Sequence, residues 1–218
     1  MRVVTVLHWM QVKPVLEKYE SNWGPIMTDF EAISQLVLKE RSAREKHQDA
    51  TLADSYWDDA TSTTSWPTGM APETFADQPA VAFDEIVGSY GTPLVYQNGT
   101  RAYVELSSTT KHWVTLASNE AIVESFMTLV YLVEKRGDIW KISDLTSINH
   151  ADTLIPVIPG VDLNIDQELV AELRTSYRWL AYTRIKSGGR ISNDEIGSDK
   201  PETVKPVYDK AEAWINNG

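Results

Sequence analysis

Apolar positions early in the chain recur with the spacing of an amphipathic helix. From Phe30 to Leu38 they fall three to four residues apart, which predicts one buried helical stripe. Thr28 precedes this run and Glu31 follows in the first turn, an order typical of a helix N-cap. The pattern therefore predicts a helix that begins beside Thr28.

A second amphipathic segment follows the first at residues 50–57. Asp49 is its predicted cap, and Asp58 with Asp59 is predicted to end it in a turn. The β-branched run 61–66 then predicts a short strand. Residues 70–90 predict a further helix that breaks at Pro79 and resumes directly after it.

From Leu94 onward the alternation changes to period two, which is typical of strands. Asn98-Gly99 is a strong hairpin signal, and strands are predicted at 101–115, 121–135 and 139–148. Gly137 lies in the turn between the last two. Consecutive hairpins of this kind predict a mostly antiparallel sheet.

The last 58 or so residues have a different pattern, with prolines, glycines and aromatic side chains between short helical runs. Helices are predicted at 166–173 and 206–214 on either side of an aromatic-rich run at 176–186. We predict three parts in the chain: an N-terminal extension (1–26), a main domain (27–160) and a helical C-terminal extension packed on it (161–218).

Composition narrows the classes of function. The 218 residues carry a formal net charge of −11, which argues against a surface for nucleic acid. There is no cysteine, so thiolate nucleophiles, thiolate metal sites and disulfides are excluded. The first 15 residues lack the features of a signal peptide and no apolar run is long enough for a membrane span, so we expect a cytoplasmic protein without a membrane partner. Nucleotide-binding glycine loops, zinc-binding His-Glu pairs and the nucleophile elbow of hydrolases are absent as motifs.

Several strings along the chain resemble one known family. They are Ala43-Arg44-Glu45 ahead of Leu52 and Tyr56, the segment Leu132–Ile142 with its Gly137 turn, and Asp152-Thr153-Leu154 ahead of Pro156, Pro159 and Gly160. Across residues 28–215 the chain resembles SnoaL-like proteins of the nuclear-transport-factor-2-like superfamily, in an uncharacterised branch with a C-terminal helical extension.

The resemblance implies an α+β fold, in which a cone-shaped, strongly bent antiparallel sheet wraps around N-terminal helices. It also implies an apolar pocket for a small molecule, acid/base chemistry without a metal or organic cofactor, and a homodimer. The superfamily includes dehydratases, isomerases and non-catalytic binding proteins, so the fold alone leaves the activity open.

Two residues are the candidate catalytic groups. The resemblance places Glu45 at the pocket mouth, where a desolvated carboxylate is suited to act as a general acid/base. The alternative is a structural carboxylate paired with Arg41 or Arg44. Alternation along the strand places His112 on one face with Ser108 and Thr110, inside the pocket if that face is concave and in solvent if a bulge shifts the register.

The remaining candidates are polar groups expected to contact substrate. Tyr56 and Tyr131 are candidate pocket phenols, although aromatic residues at such positions are more often core. The full set of substrate-binding candidates is Tyr56, Ser108, Thr110, Thr128, Tyr131, Asn149 and His150.

The sequence thus predicts a small-molecule pocket protein, with a cofactor-independent dehydratase or isomerase acting on an apolar carbonyl or hydroxy compound as its first interpretation. The alternatives are a non-catalytic binder of a hydrophobic ligand and a dimeric assembly protein of the same fold.

Overall fold

A computed structural model describes residues 27–65, 68–70 and 86–216. The helices are α1 (Asp29–Glu45), α2 (Asp49–Asp54), α3 (Gln167–Glu172), α4 (Arg178–Lys186) and α5 (Pro201–Asn216). The strands are β1 (Tyr56–Thr63), β2 (Thr68–Met70), β3 (Ile86–Tyr90), β4 (Leu94–Asn98), β5 (Arg101–Leu116), β6 (Asn119–Arg136) and β7 (Ile139–Pro156). The predicted extension at residues 1–26 lies outside the described residues.

In the described part of the chain these seven strands form one sheet in the order β2-β1-β7-β6-β5-β3. β3 and β4 pair with successive parts of the same edge of β5, and Gly91 continues that ladder by donating to the Ser107 carbonyl oxygen at 2.9 Å. All pairings are antiparallel except that of β1 with β7. The long hairpins of β5, β6 and β7 therefore form the centre of the sheet.

The sheet curls around α1. This helix contacts β3 and β4 at one side of the sheet and β7 further across it, so the sheet must bend to reach both. Ile33 and Val37 on α1 are fully buried against the inward residues of β5, β6 and β7, among them Tyr131 and Leu145. This arrangement confirms the predicted α+β cone with a strongly bent sheet around N-terminal helices.

The predicted N-terminus of α1 is confirmed. The Thr28 hydroxyl accepts from the Glu31 backbone N–H at 3.3 Å, and the Glu31 carboxylate accepts from the Thr28 backbone N–H at 2.8 Å. This reciprocal capping box satisfies two backbone donors that the first turn leaves without helical partners.

Removing this cap should weaken the fold measurably. We expect Thr28→Ala to lower the free energy of unfolding by about 1 kcal/mol, measured by urea denaturation. Thr28→Ser keeps the hydroxyl acceptor and should lose much less. Equal losses in the two variants would contradict a capping role.

Four predicted elements need correction. Asp58 and Asp59 do not end a helix, because α2 already stops at Asp54 and both aspartates lie inside β1. The helix predicted to resume after Pro79 is wrong at its end, where Ile86–Tyr90 forms β3; residues 71–85 lie outside the described part. The last strand extends to residue 156 rather than 148, and the closing helix begins at Pro201 rather than Pro206.

The C-terminal helices cover both faces of the sheet. Val207 and Ala211 of α5 pack on Val130 and Leu132, whose side chains point away from α1. Leu180 and its neighbours on α4 form a separate apolar cluster that also contacts Leu116 on the inward face of β5. α4 thus covers the inward face beside the end of β5, while α5 covers part of the outward face.

No helix among the described residues is long and apolar enough to cross a membrane.

Candidate active site

A patch of polar side chains lies on the inward face of the sheet, between the core around α1 and the cluster around α4. The register pairs Gly88 with Thr110, Thr110 with Ser125, and Ser125 with Asp152, so one row crosses four strands. Paired residues share a face, and these inward positions are mostly buried. Ser108 and His112 lie on either side of Thr110 along β5, on the same face.

Three oxygen atoms of this inward patch have no hydrogen-bond partner within the described part of the chain. They are Ser108 Oγ, Ser125 Oγ and Asp152 Oδ1, and each is inaccessible to solvent. A buried polar atom left without a partner costs about 1–3 kcal/mol. Buried polar atoms are normally paired with protein groups, ordered water or a ligand, so these three have the capacity to hydrogen-bond a bound molecule.

Asp152 is the carboxyl group of the patch with the most perturbed environment. Burial raises its pKa to about 6, against the opposing effect of backbone N–H groups at the start of α4. The Leu180 N–H donates to its Oδ2 at 2.7 Å, which fixes the carboxyl group and leaves Oδ1 without a partner. A carboxyl group with a pKa near neutrality and one oxygen without a hydrogen bond is suited to take a proton from a substrate that reaches it.

His112 lies on the concave side of the sheet. It is 7% exposed, and burial lowers the pKa of its imidazole to about 4, so the ring is neutral at pH 7. Its Nε2 is 3.2 Å from the Thr110 hydroxyl oxygen. A neutral imidazole at this position is suited to hydrogen-bond a substrate oxygen rather than to carry a charge.

Glu45 reaches the same face from the end of α1. Its Oε1 accepts a hydrogen bond from the Tyr90 hydroxyl at 2.6 Å, and burial followed by this hydrogen bond raises the pKa of Tyr90. Glu45 Oε1 occupies the space that a Cβ at Gly88 would fill, so a larger residue at this position would displace the Glu45 carboxylate. Because Gly88 pairs with Thr110, Glu45 stands at the β3 end of the polar row.

The arginines expected beside Glu45 bind a different carboxylate. Arg41 and Arg44 both donate to Glu40, which is fully buried. The Tyr56 and Tyr131 hydroxyls also donate to Glu40, at 2.8 and 3.1 Å. These two candidate pocket phenols therefore belong to a buried network that joins α1 to β1 and β6.

This buried network is saturated. Burial works to raise the pKa of Glu40, but Arg41 and Arg44 outweigh it and hold the pKa at about 2. A carboxylate that accepts from two arginines and two tyrosines has no capacity left to take a proton from a substrate. We assign Glu40 a structural role.

Three further candidates lie apart from the row. Thr128 Oγ1 is 2.8 Å from His150 Nε2, and Thr128 pairs with Ile148, which packs under α5 on the outward face. His150 is exposed at an irregularity in the β6–β7 ladder. Asn149 is buried and donates to Ser65 Oγ at 2.6 Å, next to the inward row.

Sequence reasoning missed Asp152, Glu40 and Tyr90. Asp152 gave no usable signal, since a regular hairpin at Gly137 would place His150, and not Asp152, opposite Ser125. Glu40 sits in a charged helical run that reads as a solvated surface, and no pattern marks it as buried. Among the described residues no group of three His, Asp or Glu side chains is placed to hold a metal ion.

Comparisons with known proteins bear on the fold. No family model matches the sequence, and no curated protein matches it. The structure is similar to that of hexachlorocyclohexane dehydrochlorinase LinA type 3 from Novosphingobium barchaimii LL02, with 17% identity and a TM-score of 0.50, covering 67% of this chain and 96% of that one. The LinA type 2 enzyme gives 17% identity and a TM-score of 0.49, with 67% and 99% coverage.

A nuclear-transport-factor-2-like protein with a cystatin-like fold from Novosphingobium aromaticivorans gives 12% identity and a TM-score of 0.44, covering 66% of this chain and 90% of that one. At these identities the likeness concerns the fold and not the activity. The sheet order, the curl around α1 and the match to the type 3 enzyme lead to one conclusion: the chain has the fold of the nuclear-transport-factor-2-like superfamily.

Proposed function

We propose that this protein is a cofactor-independent lyase or isomerase that moves a proton on a small, apolar carbonyl or hydroxy compound bound against the inward patch. The observation that carries the proposal is the patch itself: Asp152 with a pKa of about 6, in one row with hydroxyl groups that lack partners among the described residues. The likeness in fold to a hexachlorocyclohexane dehydrochlorinase supports it.

Four residues of the patch have separate roles in this chemistry. Asp152 takes the proton from the carbon beside the carbonyl group. His112 and the hydroxyls of Ser108 and Ser125 hydrogen-bond the carbonyl oxygen as negative charge develops on it. Because the sheet already holds these donors on one face, they need little reorganisation during the reaction.

Glu45 is the second carboxyl group of the row and is assigned to the leaving oxygen. A flat sheet would place Gly88 and Asp152 about 14 Å apart over three strand spacings, and the curl shortens this distance. In an elimination the C–H proton goes to the Asp152 carboxylate and the C–O bond breaks. The departing oxygen leaves as water with a proton from Glu45, which must enter this step as the carboxylic acid.

Solvent deuterium exchange tests the proposal without knowledge of the natural substrate. The protein is incubated in D₂O with a panel of cyclic and aromatic ketones, and deuterium incorporated beside the carbonyl group is measured by mass spectrometry. We expect exchange with the wild type and a loss of about 10²-fold in His112→Ala, whose imidazole is assigned to the carbonyl oxygen. Glu120→Gln, an exposed position, is the control and should exchange as the wild type does.

Native mass spectrometry of the same preparation separates the alternatives. A retained apolar compound with no exchange on any ketone would overturn catalysis and favour the non-catalytic binder. The same spectrum tests the homodimer, which stays a prediction. Phe126 and Ile155, 37% and 46% exposed on the outward face, support that assembly.

A further inference from the structure

A separate cleft of about 280 Å³ opens beside α4. It is lined by Ser65, Arg184, Arg190, Ile191, Ser192 and Glu195. Among the described residues that line it, two arginines and one glutamate give a formal charge of +1, in a chain whose net charge is −11. The cleft therefore attracts anions, whereas the acidic remainder of the molecule repels them.

The turn after α4 builds this cleft. Gly188 has a φ of 82°, a left-handed conformation that favours glycine, and its N–H donates to the Ile185 carbonyl oxygen. The Gly189 N–H donates to the Arg184 carbonyl oxygen at 2.9 Å, and a Cβ at Gly189 would lie 2.9 Å from Arg184 Cγ. The close turn brings Arg190 back beside Arg184.

The two arginines differ in their surroundings. Arg184 donates from Nη1 to the Ser65 carbonyl oxygen at 3.0 Å, and burial lowers its pKa, an effect that Glu195 opposes. Arg190 is exposed, and no hydrogen bond or ion pair joins it to another described residue. One guanidinium is thus held in place and partly desolvated, while the other is available to close on an anion.

The cleft adjoins the inward patch. Arg184 lies four residues after Leu180, whose N–H binds Asp152, and four residues of helix rise by about 6 Å. Ser65, which lines the cleft, accepts from Asn149 on β7 at 2.6 Å, three residues before Asp152. The cleft and the Asp152 carboxyl group thus lie at neighbouring positions along α4 and β7.

We infer that this cleft binds a carboxylate group, so that the substrate of the inward patch is an apolar carboxylic acid. The inference rests on the proposed function and names the substrate class for it. Guanidinium groups match the two oxygens of a carboxylate. A monoanion balances the formal charge of +1 in the cleft. A phosphate dianion would leave one negative charge uncompensated beside the Glu195 carboxyl group.

Paired probes that differ only in charge test the inference. Binding of 2-naphthoate and 2-naphthamide to the whole protein is measured by isothermal titration calorimetry. We expect naphthoate to bind about tenfold more tightly than naphthamide. Arg190→Gln should weaken naphthoate about fivefold and leave naphthamide unchanged. The matched control, Lys205→Gln on the exposed side of α5, removes the same charge and should change neither affinity.

Three results would overturn the carboxylate assignment: equal affinity for the two probes, an unchanged naphthoate affinity in Arg190→Gln, or displacement of naphthoate by inorganic phosphate at an equal concentration. Two outcomes distinguish a failure of the carboxylate site from a failure of the proposed function. If ketones exchange deuterium equally in the wild type and Arg190→Gln while naphthoate does not bind, the carboxylate site is wrong and the chemistry stands. If naphthoate binding depends on Arg190 but no compound exchanges, the carboxylate site stands and the chemistry is wrong.

Discussion

Asp152→Asn is expected to lower the rate of proton transfer by about 10²–10⁴-fold. The substitution keeps the size of the side chain, and its amide oxygen still accepts the N–H of Leu180 that the carboxylate accepts at 2.7 Å. It removes the negative charge and with it the capacity to take a proton. The deuterium exchange rate of any ketone that the wild type turns over is the measurement.

The dependence of this rate on pH gives a second, independent readout. Burial raises the pKa of Asp152 from its ordinary value of 3.8 to about 6. The carboxylate is the active form, so kcat/KM should fall about tenfold per pH unit as the pH drops below about 6. His112, with a pKa of about 4, stays neutral over the same range and contributes no second inflection. Residual activity in Asp152→Asn should lack the inflection.

Stability separates this role from a structural one. A carboxyl group whose pKa is higher in the folded than in the unfolded protein stabilises the fold below about pH 4, and that stability is lost as the pH rises through about 6. Asp152→Asn should therefore be at least as stable as the wild type at pH 8. Asp138→Asn, in the exposed β6–β7 turn, is the control for charge. A variant that is inactive and also much less stable at pH 8 would show that Asp152 serves mainly to hold α4.

The sequence predicted the architecture well because its strongest signals are local. Thr28 with Glu31 places the start of α1, and Asn98-Gly99 and Gly137 place two hairpins, with φ values of 57° and 62° at the glycines. The boundary between α2 and β1 was missed because Asp58 and Asp59 resemble a helix stop. Their side chains instead point to solvent from β1, where Asp59 pairs with Arg136.

The face of each residue on β7 was beyond sequence reasoning, for a physical reason. The ladder between β6 and β7 shifts register between Leu132 and Val133 and again between Phe126 and Met127. Each shift adds one residue to β7 and reverses which side chains point inward until the next shift restores them. Strict alternation would place His150 inside and Asn149 outside, and the structure has His150 exposed and Asn149 buried.

The second large effect is expected at Glu40, where the fold rather than the chemistry is at stake. Glu40→Gln should lower the free energy of unfolding by about 3–5 kcal/mol. The amide keeps the shape of the side chain but leaves Arg41 and Arg44 without a counter-charge; Arg41 is buried at 8% exposure. It also presents two N–H donors where Arg41, Arg44, Tyr56 and Tyr131 all donate. Urea denaturation at pH 7 is the measurement.

The pH dependence of this loss distinguishes the ion network from simple packing. The pKa of Glu40 is lower in the folded protein, about 2, than its ordinary value of 4.5. Its stabilisation is therefore fully present above about pH 5 and disappears as the pH falls towards 2, so the wild type and Glu40→Gln should converge in stability over that range.

Glu172→Gln, at an exposed position of α3, should match the wild type throughout. If Glu40→Gln fails to fold, Tyr131→Phe removes one donor from the same carboxylate and should lose about 1.5 kcal/mol. A loss below about 1 kcal/mol in Glu40→Gln, constant from pH 3 to 7, would mean that packing around Ile33 and Val37 holds α1 in the cone and that the arginines find other partners. A large loss that fades with acid instead makes the charge network the main attachment of α1, and thereby of Glu45, to the sheet.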